Sequence, residues 1–347
     1  MNEYDRRYMP NARRERKTGA GAVATVRSPI AAFAILLAAH GSAVAADVYP
    51  AKLVRVIVPF AVGGSTDLLS RNVAQLLNEA WRQPVVVENR PGAGSTIGSE
   101  YVTQQPANGY TLLVGTVTTH AVAATLYPKL PYDIQRDFAP ITELAFIPQL
   151  LSVHPSLPVK SVKELVALAR ARPGELNYGA GGTGATPHMT MELFQLAAKT
   201  KMVGVQYRGS GPAMIGLLGG EVSVMFDVVM TTLPHMKSGK LRTLAVTSPR
   251  RTPVAPQVPT IAESGYPGFE SQVWFGLFAP AGTPSDIVKK IYETVASGLN
   301  SPKMRDMLTG QGLEVVASTP ADFTKRIASE IAKWREVIRA AGIKPEV

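Results

Sequence analysis

Beyond residue 47 the chain alternates short apolar runs with amphipathic stretches, and the alternation predicts strands and helices in turn. Residues 53–59 read LVRVIVP, a β-branched run typical of a strand; residues 61–66 are rich in glycine; residues 68–81 then take helical spacing. In that last stretch Leu69, Val73, Leu76, Leu77 and Ala80 fall on one stripe, as a helix packed on a sheet requires. Residues 84–87 form a second strand, closed by the turn at 89–92. Residues 111–114 form a third, followed by the hydroxyl-rich stretch 116–120 and an alanine-rich stretch.

A second cycle begins at 150–153. A helix follows over 162–170, with Ser161 as its N-cap and Pro173-Gly174 as its stop. Then come a strand at 176–178, a glycine loop at 179–184 and a helix at 189–199. A strand at 203–207, a helix at 212–218 and strands at 222–226 and 244–247 complete this half. The proline-rich stretch 249–267 leads to a strand at 272–279, and the tail is helical over 284–299, 303–308 and 321–341. Strand–loop–helix repetition of this kind implies βαβ units and a largely parallel sheet. Two such cycles joined by extended segments predict two α/β lobes with a cleft between them, the C-terminal helices packing back on the first.

Residues 1–46 break the pattern. Seven basic side chains (Arg6, Arg7, Arg13, Arg14, Arg16, Lys17, Arg27) precede a ten-residue apolar run at 30–39, and small residues around Ala43, Ala45 and Ala46 offer a cleavage site. This is the layout of a secretory signal peptide, and ten apolar residues fall short of the roughly 20 that a membrane-spanning helix needs. The chain left after removal, from about Asp47, is expected to be exported to the periplasm.

That segment changes the reading of charge. The 347 residues hold 36 Lys and Arg against 26 Asp and Glu, a formal +10. Seven basic and three acidic side chains lie within 1–46, which leaves +6 on the remainder. The remaining charge is scattered: basic runs never exceed Arg250-Arg251 or Lys289-Lys290, and no aromatic residues interleave with them. A nucleic-acid face is therefore not expected. With no cysteine, disulfides, zinc–thiolate sites and thiol nucleophiles are all excluded.

Three loops carry the candidate chemistry, because ligands of open α/β sheets sit beyond the carboxyl ends of strands and against helix N-termini. The first, after strand one, is FAVGGSTD at 60–67; the second is GTVTTH at 115–120; the third is GAGGTGATPH at 179–188. Each ends where a helix begins, and unpaired N–H groups there favour an anion. Any one could be plain turn chemistry; three in equivalent places point to a carboxylate or phosphate. Gly179, Gly181 and Gly184 also satisfy the dinucleotide pattern G-x-G-x-x-G, but no acidic residue follows at the expected interval of about 20, where the chain reads TKMVG (200–204). No phosphate-loop string, no G-x-S-x-G elbow and no H-E-x-x-H pair occurs, so no cofactor, metal or catalytic role is expected. His120 and His188 either brace their loops or touch ligand. Asp227, ending the strand at 222–226, is a helix cap, a buried acid facing the cleft, or a receiver for a ligand amine.

Longer strings bring in a family. YPAKLVRVIVPF (49–60) leading into AVGGSTD, VVVENRPGAGSTIGSE (85–100), NGYTLLVGT (108–116) and LYPKLPYDIQRDFAPI (126–141) resemble the Bug family, the extracytoplasmic receptors of tripartite tricarboxylate transporters. LNYGAGGTGATPHM (176–189), YRGSGPA (207–213), VMFDVV (224–229) and WFGLFAPAGTP (274–284) continue the resemblance over the rest of the chain. The resemblance implies a two-lobed type II periplasmic binding protein, with residues 47–149 and 273–347 as lobe 1, residues 150–272 as lobe 2, and crossing hinge strands near 147–154 and 272–279. It implies a small organic carboxylate held by backbone N–H groups, hydroxyls and ordered waters. The residues so implicated are Phe60, Val62, Gly63, Gly64, Ser65 and Asp67 in the first loop, and Thr116, Thr118, Thr119 and His120 in the second. The third loop contributes Gly181, Gly182, Thr183, Gly184, Thr186 and His188, with Tyr207 and Asp227 beyond it. A monomeric, non-catalytic receptor serving a large and a small membrane subunit is the expectation. A periplasmic sensor, or an enzyme using the same cleft, is the alternative. Val62, where the family commonly has proline, and Val117-Thr118, often smaller, leave the identity of the carboxylate open.

Overall fold

The computed structural model describes residues 49–127 and 129–344, so the expected signal peptide at 1–46 lies outside the described residues. Ten strands form one mixed sheet: β1 (Val54–Val58), β2 (Val85–Asn89), β3 (Thr111–Thr116), β4 (Phe138–Val153), β5 (Asn177–Ala180), β6 (Val203–Gln206), β7 (Val224–Val228), β8 (Arg242–Val246), β9 (Gln272–Pro280) and β10 (Glu314–Val315). The helices are α1 (Ser65–Trp81), α2 (Thr96–Thr103), α3 (Ala123–Leu126), α4 (Val162–Ala171), α5 (Thr186–Ala198), α6 (Ser210–Gly219), α7 (Val229–Lys237), α8 (Ser285–Leu299), α9 (Pro302–Gly310) and α10 (Pro320–Ala341). Among the described residues no helix is long and apolar enough to cross a membrane.

The strand order is β2-β1-β3-β9-β4-β7-β5-β6, with β8 and β10 also pairing to β4. The sheet is less parallel than the repetition implies. β1 pairs parallel with β2 and β3, and β5 parallel with β6 and β7, while β4 and β9 run antiparallel to each other and to their other partners. The physical reason is β4. Its 16 residues start at Phe138, well before the stretch where the apolar pattern becomes legible, and it pairs with β9 up to Pro148↔Gln272. From the next residue, Gln149↔Val228, it pairs with β7. One strand thus serves two sets of neighbours.

Alternation of side chains across the strands divides the core. Val54, Val56, Leu112 and Val114 face α1 and α8, meeting Leu69, Val73, Leu77, Ile291 and Val295. Ile57 and Leu113 point the other way, with Phe278 and Trp274 of β9, and are covered by Phe323, Ile327 and Trp334 of α10. With both faces covered, these strands read as continuous apolar runs. Val224 and Phe226 join Leu165 of α4 and Met191 and Phe194 of α5, while Met225 faces Ala213 and Leu217 of α6. Ser161 caps α4 as expected, its Oγ accepting from the Glu164 N–H at 3.2 Å.

Packing of α10 on β9 depends on the absence of a side chain at Gly276: a Cβ there would lie 2.0 Å from Phe323 Cζ. Gly276→Ala should therefore lower stability by about 1–3 kcal/mol, the usual range for overpacking. Adding Phe323→Leu should recover part of that loss in thermal unfolding; two additive losses would show that the positions are not in contact.

Candidate ligand-binding site

The parallel pairs β1–β3 and β5–β7 bring the three loops to the carboxyl ends of their strands. In the first loop, Val62 projects outward at 70% exposure, while Asp67 in the first turn of α1 is buried. The Asp67 carboxylate accepts from the Gly63 N–H at 3.0 Å, from Arg71 through two nitrogens at 3.0 Å each, and from Asn89 Nδ2 at 3.0 Å. Burial on its own would push this carboxyl up, but Arg71, Gly63 and Asn89 together hold it below the ordinary aspartate range. Asn89 Nδ2 also donates to Phe60 O at 3.1 Å. Asp67 is thus the internal brace of the loop, and Phe60, Gly63, Gly64 and Ser65 are the backbone it shapes.

The second loop leaves β3 through a π-helical turn, Thr118–Val122, before α3. Thr119 Oγ1 accepts from the Thr116 N–H at 2.9 Å and stands 2.8 Å from His120 Nδ1. The His120 ring is fully enclosed, stacked on Phe278 at 4.1 Å and edge-on to Phe138 at 4.7 Å. Burial pushes its pKa down to about 3, so the ring is neutral at ordinary pH. Of the two roles open to it, the geometry supports bracing. Thr118 differs: half-buried, its Oγ1 lies 3.2 Å from Thr186 Oγ1 of the third loop.

The third loop turns at Gly184, whose φ is +77° and whose absent side chain leaves room for Leu126 of α3. The Gly184 N–H donates to His188 Nδ1 at 3.2 Å, which puts the ring proton on Nε2, facing Glu192 at 4.0 Å. Gly181 sits directly against the start of α6, since a Cβ there would be 2.6 Å from the Ser210 nitrogen. Ser210 also donates to Asp227, whose carboxylate accepts from Thr231 Oγ1 at 2.7 Å and from the Val228 N–H. Burial pushes Asp227 up to about 6 against those donors. Thr231 lies in the first turn of α7, whose N-cap is Val228 without a side-chain cap, so Asp227 braces that turn through the Thr231 hydroxyl and does not cap the helix. Tyr207 points elsewhere: its hydroxyl donates to Glu221 at 3.2 Å and packs under Gly216 of α6.

The second and third loops are thus in contact, and the third adjoins α6 and Asp227. The first is tied to β2, and among the described residues no hydrogen bond joins it to the other two. The helix starts supply the common chemistry. The N-caps of α1, α5 and α6 are Gly64, Ala185 and Gly209, none with a side-chain cap, whereas α4, α9 and α10 are capped by Ser161, Ser301 and Thr319. The contrast is not strict, since α2, α3, α7 and α8 also start without a side-chain cap. Residues 60–67, 116–120 and 181–188 contain no Lys or Arg. Arg208, one residue before the α6 N-cap, is exposed, so within these three loops the positive charge is that of N–H groups and helix dipoles. The sequence reading missed Ser210, Arg71 and Asn89; only Arg71, one turn after Asp67, had a signal, the i, i+4 acid–base spacing.

The buried neutral His120 has a consequence in solution. Between its ordinary pKa of 6.5 and its folded value of about 3, the unfolded chain binds a proton that the folded chain does not. Stability should therefore fall as pH drops from 7 to 5, by at most about 1.4 kcal/mol per unit from this residue. In thermal unfolding, His120→Phe should flatten that acid limb; an unchanged slope would place the acid sensitivity elsewhere.

Comparison with known proteins gives the family. Residues 69–343 match the model of the tripartite tricarboxylate transporter family receptor. Protein BugT of Bordetella pertussis is 38% identical over 318 residues, spanning 91% of this chain and 98% of the relative. Among solved structures, a Rhodopseudomonas palustris protein determined with adipate shares 40% identity at a TM-score of 0.77, over 86% of this chain and all of that one. MatC of Rhodopseudomonas palustris, determined with bound malate, shares 34% identity at a TM-score of 0.72, over 84% of this chain and all of that one. The chain belongs to the tripartite tricarboxylate transporter receptor family, with the α/β fold of its Bug-type periplasmic binding proteins.

Proposed function

We propose that this chain is a non-catalytic periplasmic receptor that captures a small dicarboxylate and delivers it to the large and small membrane subunits of a tripartite transporter. The observation that carries the reading is the 3.2 Å contact between Thr118 and Thr186, which brings the loops after β3 and β5 together beside uncapped helix starts. A carboxylate there would take hydrogen bonds from the two hydroxyls and from N–H groups of the third loop. Solved relatives carry adipate and malate, two dicarboxylates, and both support the class. In this reading, residues 47–149 with 273–347 form one lobe and 150–272 the other, with β4 and β9 as hinge strands between them. The receptor acts as a monomer, and ligand contacts to both lobes bias their closure.

The test is a thermal-shift and calorimetric screen with adipate, malate, citrate and a neutral sugar. A dicarboxylate at about 100 times its dissociation constant should add about 2.7 kcal/mol of stability, a rise of several degrees. A rise with the sugar and with no carboxylate would overturn the reading. Thr118→Val and Thr186→Val should each weaken carboxylate binding by about tenfold or more, the loss of one hydrogen bond to a charged group.

A further inference from the structure

Where β4 changes partners, the core holds a closed ring of hydrogen bonds. Gln149 is the first β4 residue paired with β7, directly after the last one paired with β9. Its N–H donates to Thr247 Oγ1 at 2.9 Å, and its carbonyl accepts from the Thr247 N–H at 2.9 Å. The Thr247 carbonyl accepts from the Ser271 N–H at 3.1 Å. Ser271 Oγ lies 2.6 Å from Thr190 Oγ1, and Thr190 Oγ1 accepts from Gln149 Nε2 at 2.6 Å, which closes the ring. All four side chains are fully buried. Ser271 immediately precedes β9, Thr247 follows β8, and Thr190 lies in the second turn of α5, two residues after His188.

The ring therefore ties the helix that carries the third binding loop to the strands that cross between the two halves of the sheet. Apolar packing holds α5 on both sides, through Met189 against Val122 and Leu126 and through Met191 and Phe194 against β7, but such packing is non-directional. Hydrogen bonds to Thr190 are directional and fix the angle of the helix. Gln149 Oε1 is buried and takes no hydrogen bond among the described residues.

We propose that Gln149 and Thr190 are positioning residues, which set the angle of α5 and its 181–188 loop on the crossing strands and so set carboxylate affinity without touching ligand. The inference rests on the receptor reading above. Two substitutions at Thr190 separate it from a merely structural role. Thr190→Ser keeps the hydroxyl and removes a methyl group; Thr190→Val keeps the volume and removes the hydroxyl.

Adipate and malate are titrated into the wild-type chain and each variant by calorimetry, alongside thermal unfolding. The distance between spin labels on Glu79→Cys of α1 and Ala197→Cys, exposed on α5, is measured without ligand, which the absence of native cysteine makes direct. Thr190→Val and Gln149→Met should change affinity about tenfold, within the usual range of coupling between distant sites, and should shift the label distances. Thr190→Ser should lose stability yet keep wild-type affinity and distances. Val and Ser variants alike in affinity and distances, whatever their melting temperatures, would overturn the proposal. If the wild-type chain binds neither probe, the receptor reading fails on its own account, while unchanged label distances in Thr190→Val would still overturn the positioning role.

Discussion

One strand carries two sets of hydrogen bonds, and the rest of the molecule is arranged by that fact. Up to Pro148 the strand β4 is bonded to β9, and from Gln149 onward to β7 and β8. Backbone pairing of this kind is obligatory in a buried strand, because an N–H or C=O left without a partner there costs more than most side-chain contacts contribute. The change of partners therefore cannot slide along the chain. Everything on one side of it packs with α1, α8 and α10, and most of what lies on the other with α4, α5 and α6.

The site follows from where the parallel strands end. Helices α1, α5 and α6 begin there without side-chain caps, and the loops before α1 and α5 hold no cation, while Arg208 before α6 is exposed, so in the proposed reading an anion would be held by dipoles rather than by a salt bridge. The ionisable groups nearby are occupied with the protein itself. Asp67 gathers the first loop around its carboxylate, Asp227 secures the start of α7, and His120 is an aromatic brick between Phe138 and Phe278. In the receptor reading proposed above, an acid engaged in this way within its own loop would not repel a carboxylate as a free acid would.

Much of the architecture was legible. Strands covered on both faces read as apolar runs, and α1 and α4 read from their stripes and, for α4, from its cap. Less legible was the first part of β4, residues 138–146, where Pro140 and the acidic Glu143 argue against a strand. The structure accepts both, since the register shifts beside Pro140 and Glu143. Arg326 of α10 faces the Glu143 carboxyl, although burial still pushes it up to about 7. Helix α7 escaped notice for a similar reason: Pro234 lies inside it, and only two of its nine residues are buried.

The sequence by itself determined most of the elements, the family and the three loops, because these depend on local spacing and on strings of adjacent residues. It could not determine which loops meet. Thr118 and Thr186 stand 68 positions apart, and Gln149, Thr190 and Ser271 come from a strand, a helix and a loop far apart along the chain. A hydroxyl or an amide has no periodicity to betray its partner. Its partner is chosen by how strands cross and where a helix is laid down, and only the folded chain decides that.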